Sequence, residues 1–314
     1  MSLKILLLDS NHPSLIETLT KNGFTCEEDY ISSKAEIEAK LSDYKAVVIR
    51  SRFKIDKQFI DAGTNLRCIA RAGAGMENID VQYAESREIK CVHAPEGNRD
   101  AVGEQAVGML LALMNNVCRA DREVRKGEWI REGNRGYELQ GKTVGVIGYG
   151  NMGSAFVQRL KGFDVKILVY DKYKKNFGTK EIIESTPEEI FEKADVLSLH
   201  IPLTNETNHL VNEDFLSKFK KPIWLINTAR GKILDTAALV NAMEKGKVIG
   251  VCLDVSEYES VSFEKMETEK LPYAYQYLVK SDKVILTPHI AGWTFESHQK
   301  IADILAEKIT EALS

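Results

Sequence analysis

The sequence has 314 residues, 44% of them hydrophobic and 28% charged, with 42 basic against 46 acidic side chains for a formal net charge of -4. At about 150 residues per domain this is a chain of roughly two domains, long enough to bury sizeable cores. The slight acidic excess argues against a nucleic-acid protein that relies on overall positive charge, and 21 glycines with 7 prolines exclude a collagen-like or low-complexity chain.

The first apolar run, residues 5–8, stops at Asp9. It is too short for a signal peptide or a membrane span, and the longest other apolar stretch, 106–114, also falls well short of the ~20 residues a span needs. A cytoplasmic protein with no membrane and no nucleic-acid partner is expected. Further runs follow at 46–49, 68–70 and 91–92, with a weaker one near 24–26. Segments of helix-forming composition lie between them at 14–21, 34–41 and 57–62. Short strands alternating with helices indicate parallel βαβ units. A second set of Val-, Ile- and Leu-rich runs occupies 144–147, 165–170, 196–199, 223–226, 248–253 and 284–286. Most show no alternation, which suits strands covered by helices on both faces. The five cysteines, Cys26, Cys68, Cys91, Cys118 and Cys252, are odd in number and form no CxxC pair. Neither a disulfide framework nor a thiolate zinc site is expected, no metal is assigned, and each cysteine reads as a buried small hydrophobe.

Residues 99–141 join the two sets. Residues 100–117 read as one helix in which Val102, Ala106, Leu110, Leu113 and Val117 share a face while Val107, Met109, Leu111 and Met114 lie elsewhere. A helix apolar on most of its circumference is buried on several sides, as at a domain junction or a subunit interface. Residues 119–140 are polar, with Trp129, Ile130 and Tyr137 scattered among them, and read as a solvated connector or an arm around a partner. Together these segments suggest a homodimer.

The strongest local motif is the strand 144–147 followed by Gly148, Tyr149, Gly150, Asn151, Met152 and Gly153, with a helix expected over 151–160. The three glycines fit G-x-G-x-x-G. The first permits a tight turn, the second lets a pyrophosphate approach the backbone, and the third lets helix and strand pack closely. The helix N-terminus then offers N–H groups and a positive dipole end to the phosphates. Asp171 ends the next strand at the distance expected of an acid that binds the adenosine ribose hydroxyls. A carboxylate there repels a 2′-phosphate, so NAD is expected over NADP. Lys172, Lys174 and Lys175 follow, either as a solvated turn or as groups that tolerate some NADP.

Three later segments each follow an apolar run: Arg230 after 223–226, Asp254 through Glu259 after 248–253, and His289 after 284–286. In open α/β sheets ligands bind outside the carboxyl ends of strands. A guanidinium forms a forked pair with a carboxylate or polarises a carbonyl, a histidine exchanges a proton near neutral pH, and a carboxylate orients the imidazole. With NAD, these parts make a hydroxy-acid dehydrogenase. His12, His93, His209 and His298 show no comparable context and read as structural.

The motifs together resemble those of the D-isomer-specific 2-hydroxyacid dehydrogenases, most closely the D-3-phosphoglycerate dehydrogenase group. The resemblance rests on Arg50-Ser51-Arg52, the glycine-rich stretch 71–80, Asn98, the segment 102–104, the 148–153 loop, His200 with Pro202, the segments 227–231 and 254–259, and Pro288-His289. It implies two Rossmann- or flavodoxin-like doubly wound α/β domains with parallel sheets. Residues 1–97 plus 292–314 would form a substrate domain, and 98–291 an inserted NAD-binding domain. It implies that Arg230, Glu259 and His289 are catalytic, with Glu259 preferred over Glu257. It places Arg50, Ser51, Arg52 and the backbone at Ala74 and Gly75 on the substrate side, with Arg230 and His289 shared. It places Tyr149, Asn151 and Met152 on the pyrophosphate and Asp171 on the ribose. His200, Pro202, Thr207, Thr228, Ala229, Asp254 and Gly292 would line the rest of the cofactor cleft.

Two positions depart from the family pattern: Ser260 stands where a proline usually follows the glutamate, and Phe53 where a threonine is common. The segment 260–282 is expected to be polar and irregular. With Ser314 as the last residue, no appended regulatory domain and no feedback by serine are expected. The resemblance implies NAD-dependent oxidation of D-3-phosphoglycerate to 3-phosphohydroxypyruvate, a step of serine biosynthesis. The alternatives are a glyoxylate or hydroxypyruvate reductase and, in another class, an NADH-sensing transcriptional corepressor of the same fold.

Overall fold

The computed structural model describes residues 3–259 and 271–314. The chain divides into two compact units, Met1–Arg99 with Trp293–Ser314, and Asp100–Gly292.

The first unit runs β1 (Lys4–Leu7), α1 (Pro13–Lys21), β2 (Thr25–Glu28), α2 (Lys34–Lys40), β3 (Ala46–Ile49), α3 (Lys57–Ala62), β4 (Cys68–Arg71), α4 (Val81–Ser86) and β5 (Lys90–His93). Its five strands lie in the order β2-β1-β3-β4-β5, and every pairing is parallel. Successive strand residues point to opposite faces, and both faces are covered. Ile5, Leu7 and Val48 pack with Leu15 of α1, while Leu6, Val47 and Ile49 pack with Ile37 of α2 and Phe59 of α3. Phe53, one of the family departures, joins this second core beside Phe59 at a ring distance of 5.7 Å. Helices start where their caps say they should: Ser33 and Glu36 form a capping box on α2, and Pro13 opens α1 behind His12.

Next in the chain come α5 (Pro95–Met114), α6 (Val117–Arg125), β6 (Thr143–Ile147), α7 (Asn151–Leu160), β7 (Lys166–Tyr170), β8 (Ile182–Glu184), α8 (Pro187–Lys193), β9 (Val196–Leu199) and α9 (Glu213–Ser217). They are followed by β10 (Ile223–Asn227), α10 (Thr236–Glu244), β11 (Val248–Leu253), α11 (Tyr273–Lys280), β12 (Val284–Leu286) and α12 (Phe295–Leu313). The seven-stranded parallel sheet has the order β12-β11-β10-β9-β6-β7-β8. The order turns back at β6, so the carboxyl end of β6 is a topological switch point, where such doubly wound sheets take their ligands. The α/β architecture with two parallel sheets is the one the sequence implied.

Several local readings change. The helix expected over 100–117 begins five residues earlier and ends at Met114, because Asn116 adopts a left-handed backbone with φ of 54°. Asparagine tolerates that conformation, which no helix interior accepts. Val117 therefore leaves the shared apolar face and opens α6, where it is exposed. The multi-sided apolar character of α5 has a local explanation: Val107, Met109, Leu110, Leu113 and Met114 pack into one core with Val144, Phe156 and Trp224. The polar segment after it is partly helical, since α6 covers 117–125 without burying a residue. Cys118 on that helix is exposed rather than a buried hydrophobe, whereas Cys68 and Cys252 are buried. The last helix starts at Phe295, capped by Thr294, rather than near 292. Of the segment expected to be irregular, 273–280 is helix α11, while Ser260 and the rest through 270 lie outside the described residues. Among the described residues no helix is long and apolar enough to cross a membrane.

Candidate active site

The glycine loop joins β6 to α7 at the switch point. Gly148 has φ of 96°, a left-handed value that favours glycine, and a Cβ there would collide with the His200 carbonyl. A Cβ on Gly153 would collide with the Gly148 carbonyl, so the strand and helix are in backbone contact at this point. Gly150 faces open space, with nothing among the described residues within 4 Å of where its Cβ would be. It is the N-cap of α7 and supplies no side-chain cap, so the helix presents its first N–H groups toward that space. This cradle fits a pyrophosphate.

Asp171, at the end of β7, holds the loop as well as facing it. Its carboxylate accepts hydrogen bonds from the backbone N–H groups of Tyr149 (2.7 Å), Tyr173 (2.9 Å) and Lys174 (2.8 Å). Burial works against its charge, but the three N–H donors and the nearby Lys174 outweigh it and hold the carboxyl below its ordinary range. The following lysines are all engaged: Lys172 with Glu206, Lys174 with the Tyr149 carbonyl at 2.8 Å, and Lys175 with the Asp171 carbonyl at 3.4 Å. On the other side of the switch point, Thr207 donates to the Pro202 carbonyl at 2.7 Å and shapes the loop after β9.

His200 lies at the end of β9, buried, with Nε2 at 2.8 Å from Ser198 Oγ and its ring 5.1 Å from Phe156. Burial pushes its imidazole down to about 3. The folded chain keeps His200 neutral, while the unfolded chain protonates it below about pH 6.5, so folding stability is full above that value and falls as pH drops toward 3. One such group costs ~2 kcal/mol between pH 6.5 and 5. The His200→Gln variant is expected to show a flatter decline of Tm between pH 7 and 5 than the wild type. Parallel curves would rule out His200 as the source.

The chemical groups stand on the three neighbouring strands β10, β11 and β12. After β10, the buried Asn227 folds the chain into a tight loop. Its Oδ1 accepts from Ala229 N–H at 3.0 Å and its Nδ2 donates to the Arg230 carbonyl at 3.0 Å. Arg230 leaves that loop with Nη1 donating to the Ala229 carbonyl at 2.7 Å. Among the described residues Thr228 Oγ1 is buried with no hydrogen-bond partner, a polar atom suited to a ligand. Gly231 lies against the loop after β11, where a Cβ would collide with the Ser256 backbone.

After β11, Glu259 is held by the Ser256 N–H on one oxygen and turns the other toward His289, with Oε2 at 2.9 Å from Nδ1. A carboxylate oxygen only accepts, so this contact assigns a proton to Nδ1, and in the neutral ring Nε2 then carries none. Glu257, two residues earlier, faces elsewhere. Its carboxylate accepts from Thr236 N–H (3.1 Å) and Oγ1 (2.7 Å) and meets His209 Nε2 at 2.8 Å. Glu259 and His289 share a cleft of about 300 Å³ with Gly231, Ser256, Tyr275 and Pro288.

Asp254 opens the same loop and is 1% exposed. Its carboxylate accepts from Thr287 Oγ1 (2.5 Å), Ile290 N–H (2.9 Å) and Ala291 N–H (2.8 Å), and its carbonyl accepts from His289 N–H (2.8 Å). Asp254 thus ties down the loop through Gly292 that presents His289, whose backbone has φ of 56°.

In the first unit, the arginines after β3 diverge. Arg52 spends its guanidinium on the carbonyls of Leu8 (3.2 Å), Asp29 (2.7 Å) and Ser32. Arg50 instead lies over the ring of Trp293, 4.9 Å from its centroid. Ser51 sits between them at the end of the strand. After β4, Ala74 and Gly75 follow the turn at Gly73, and His93 Nδ1 donates to the Ala74 carbonyl at 2.6 Å. Sequence reasoning read His93 as structural. The contact shows what it supports: the loop whose backbone was placed on the substrate side.

Residues 107–291 match the family model described as D-isomer specific 2-hydroxyacid dehydrogenase, NAD binding domain. The chain belongs to the D-isomer specific 2-hydroxyacid dehydrogenase family. It is 38% identical to a glyoxylate reductase of Thermofilum pendens over 91% of this chain and 83% of that one. It is 36% identical to a D-3-phosphoglycerate dehydrogenase of Archaeoglobus fulgidus over 98% of this chain, which spans 56% of that relative's length. Among solved structures, it resembles the D-lactate dehydrogenase of Aquifex aeolicus, complexed with NAD and lactic acid, with a TM-score of 0.84 and 28% identity over 99% of this chain and 95% of that one. The protein is a D-2-hydroxyacid dehydrogenase, and NAD is its cofactor.

Proposed function

We propose that this dehydrogenase interconverts a D-2-hydroxy acid and its 2-oxo acid with Arg230, Glu259 and His289 as its chemical groups. The observation that carries this is the Glu259–His289 contact, because it fixes the tautomer a proton-transfer base needs. In oxidation, His289 Nε2 takes the proton of the C2 hydroxyl as the carbon becomes a carbonyl; in reduction it returns that proton to the new hydroxyl oxygen. When bound, NAD would supply the acceptor for the hydride that leaves C2, and NADH the donor for the hydride that returns to it. Arg230 forms a forked pair with the substrate carboxylate or polarises the C2 oxygen. Glu259 holds the imidazole ring and balances the imidazolium that forms.

On the cofactor side, the glycine cradle from Gly148 to Gly153 would hold the pyrophosphate, with Tyr149, Asn151 and Met152 at its rim and Asp171 on the ribose. His200, Pro202, Thr207, Thr228, Ala229, Asp254 and Gly292 would complete the cleft. The ionised Asp171 and the engaged lysines beside it support NAD over NADP. In the Asp171→Ser variant the ratio of kcat/KM with NADH to that with NADPH should fall about tenfold, the scale of one charged contact near the surface. A wild type that prefers NADPH would overturn the assignment.

For the substrate, the finer reading is D-3-phosphoglycerate and 3-phosphohydroxypyruvate, with Arg50, Ser51, Arg52, Ala74 and Gly75 on the substrate side. Of the two arginines, Arg50 is the better placed to contact it, since Arg52 is committed to three carbonyls. The second reading, a glyoxylate or hydroxypyruvate reductase, is favoured by relatives such as the Thermofilum pendens protein, matched over 83% of its length. An NADH-linked assay over phosphohydroxypyruvate, hydroxypyruvate, glyoxylate and pyruvate decides between them. Turnover of none of the four would favour an NADH sensor of the same fold.

A further inference from the structure

Trp293 has no part in the proposed reaction. It precedes α12, lies four residues after His289 in the chain, and is 65% exposed, a large ring left mostly in solvent. The ring nevertheless has two organised neighbours. The Arg50 guanidinium lies 4.9 Å from its centroid, and the His298 ring stacks on it at 6.5 Å with an interplanar angle of 26°. His298 in turn meets His12 edge-on at 5.6 Å. Four side chains thus form one continuous stack, Arg50, Trp293, His298 and His12. They come from the end of β3, the entry to α12 and the loop after β1.

The place of this stack matters. The order β2-β1-β3-β4-β5 reverses between β1 and β3, so their carboxyl ends form the switch point of the five-stranded sheet. The stack spans those two ends. Its backbone is fixed there: Arg50 N–H donates to the Asp9 carboxylate at 2.6 Å, and Asn78 donates to the Arg50 carbonyl at 3.4 Å. Among the described residues the Arg50 guanidinium has no hydrogen-bond or ion-pair partner, unlike that of Arg52. A guanidinium laid on an aromatic face keeps its N–H donors, which point outward in its own plane. The indole therefore fixes the direction of the cation without using its forked edge.

We infer that Trp293 is a positioning residue for substrate selection: it holds the Arg50 guanidinium edge-outward at the ligand-binding end of the five-stranded sheet. The enzyme then favours 2-oxo acids that carry a second anionic group, phosphate or carboxylate, remote from the 2-oxo carboxylate. The inference rests on the proposed placement of the substrate side in the first unit.

The test measures kcat and KM with NADH for glyoxylate, hydroxypyruvate, phosphohydroxypyruvate and oxaloacetate in the wild type and in the Trp293→Leu, Trp293→Phe and Arg50→Met variants. The wild type should favour an acid with a second anion over glyoxylate, and comparing phosphohydroxypyruvate with oxaloacetate tells phosphate from carboxylate. Trp293→Leu should raise KM for the favoured acid about threefold to fivefold, the scale of a solvent-exposed cation–π contact, with kcat little changed. Trp293→Phe should restore most of that loss, because it keeps an aromatic face. Arg50→Met should abolish the preference. NADH titration by fluorescence, unchanged in Trp293→Leu, shows that the variant is folded. Equal rises of KM for glyoxylate and the favoured acid in Trp293→Leu, or a Phe variant as impaired as Leu, would overturn the inference. So would a wild type that turns over glyoxylate and hydroxypyruvate but rejects acids with a second anion, although the reaction class would survive. Turnover of none of the four would reject the reaction class and this inference together.

Discussion

The His289→Gln variant should lose about 10³-fold in kcat while binding NADH as the wild type does, because a positioned base contributes roughly 10²–10⁴ to such a proton transfer. The cofactor cradle and the imidazole belong to different loops, so the two readouts separate. Gln keeps a donor near Glu259 Oε2 and removes the atom that exchanges protons. One structural effect needs a control. His289 has φ of 56°, a region that asparagine and histidine enter more readily than glutamine. The His289→Asn variant relieves that strain and should be equally inactive. If Asn recovers activity that Gln lacks, the loss in Gln came from the backbone, and the acid–base role of His289 fails. The companion change Glu259→Gln should lower kcat about 10²-fold, since it keeps the shape of the side chain and removes the charge that balances the imidazolium.

Strands and the glycine loop were legible in the sequence because buried parallel strands are continuous apolar runs and because a phosphate cradle needs glycine at fixed offsets. β3, β9, β11 and β12 coincide with the runs that marked them. β8 went unread. It has three residues, lies at the sheet edge and pairs with β7 alone, so its apolar content is small. The break between α5 and α6 went unread for a different reason: helix-forming residues stand on both sides, and only the left-handed Asn116 interrupts them.

Residue types at strand ends brought an arginine, a carboxylate and a histidine into view, but spacing alone did not separate Glu257 from Glu259 or Arg50 from Arg52. Those choices are made by neighbours distant in sequence. His209 and Thr236 occupy Glu257, and three carbonyls from two loops occupy Arg52. Gly231 shows the same limit. It stood in the sequence as part of a motif, while its physical reason is the Ser256 backbone lying against it, which lets the loops of Arg230 and Glu259 approach each other.

Asp254 is where structure adds most to the sequence reading, which placed it along the cofactor cleft. Its three accepted hydrogen bonds from Thr287, Ile290 and Ala291 make it the anchor of the loop that carries His289. In Asp254→Asn one oxygen becomes an amide that only donates, so at least one buried N–H or hydroxyl loses its acceptor. That should cost about 1–3 kcal/mol of stability. It should also lower kcat about 10²-fold, as expected when a reacting group shifts by about 1 Å. A positioning role predicts that kcat falls while KM for NADH stays. A fall in stability with normal kcat would leave Asp254 a purely structural group. The pH dependence gives an independent check. Burial lifts the Asp254 carboxyl above its ordinary value, against the pull of the Thr287, Ala291 and Ile290 hydrogen bonds. A folded carboxyl that holds its proton longer than the unfolded one contributes stability below the ordinary carboxyl range, and that contribution fades as pH rises through the raised value. The non-titrating Asn variant lacks this term. The Tm advantage of the wild type over Asp254→Asn should therefore shrink as pH rises out of the acid range. An advantage that grows instead would mean that the hydrogen bonds outweigh burial, and that the loop carrying His289 is held by the fully charged carboxylate.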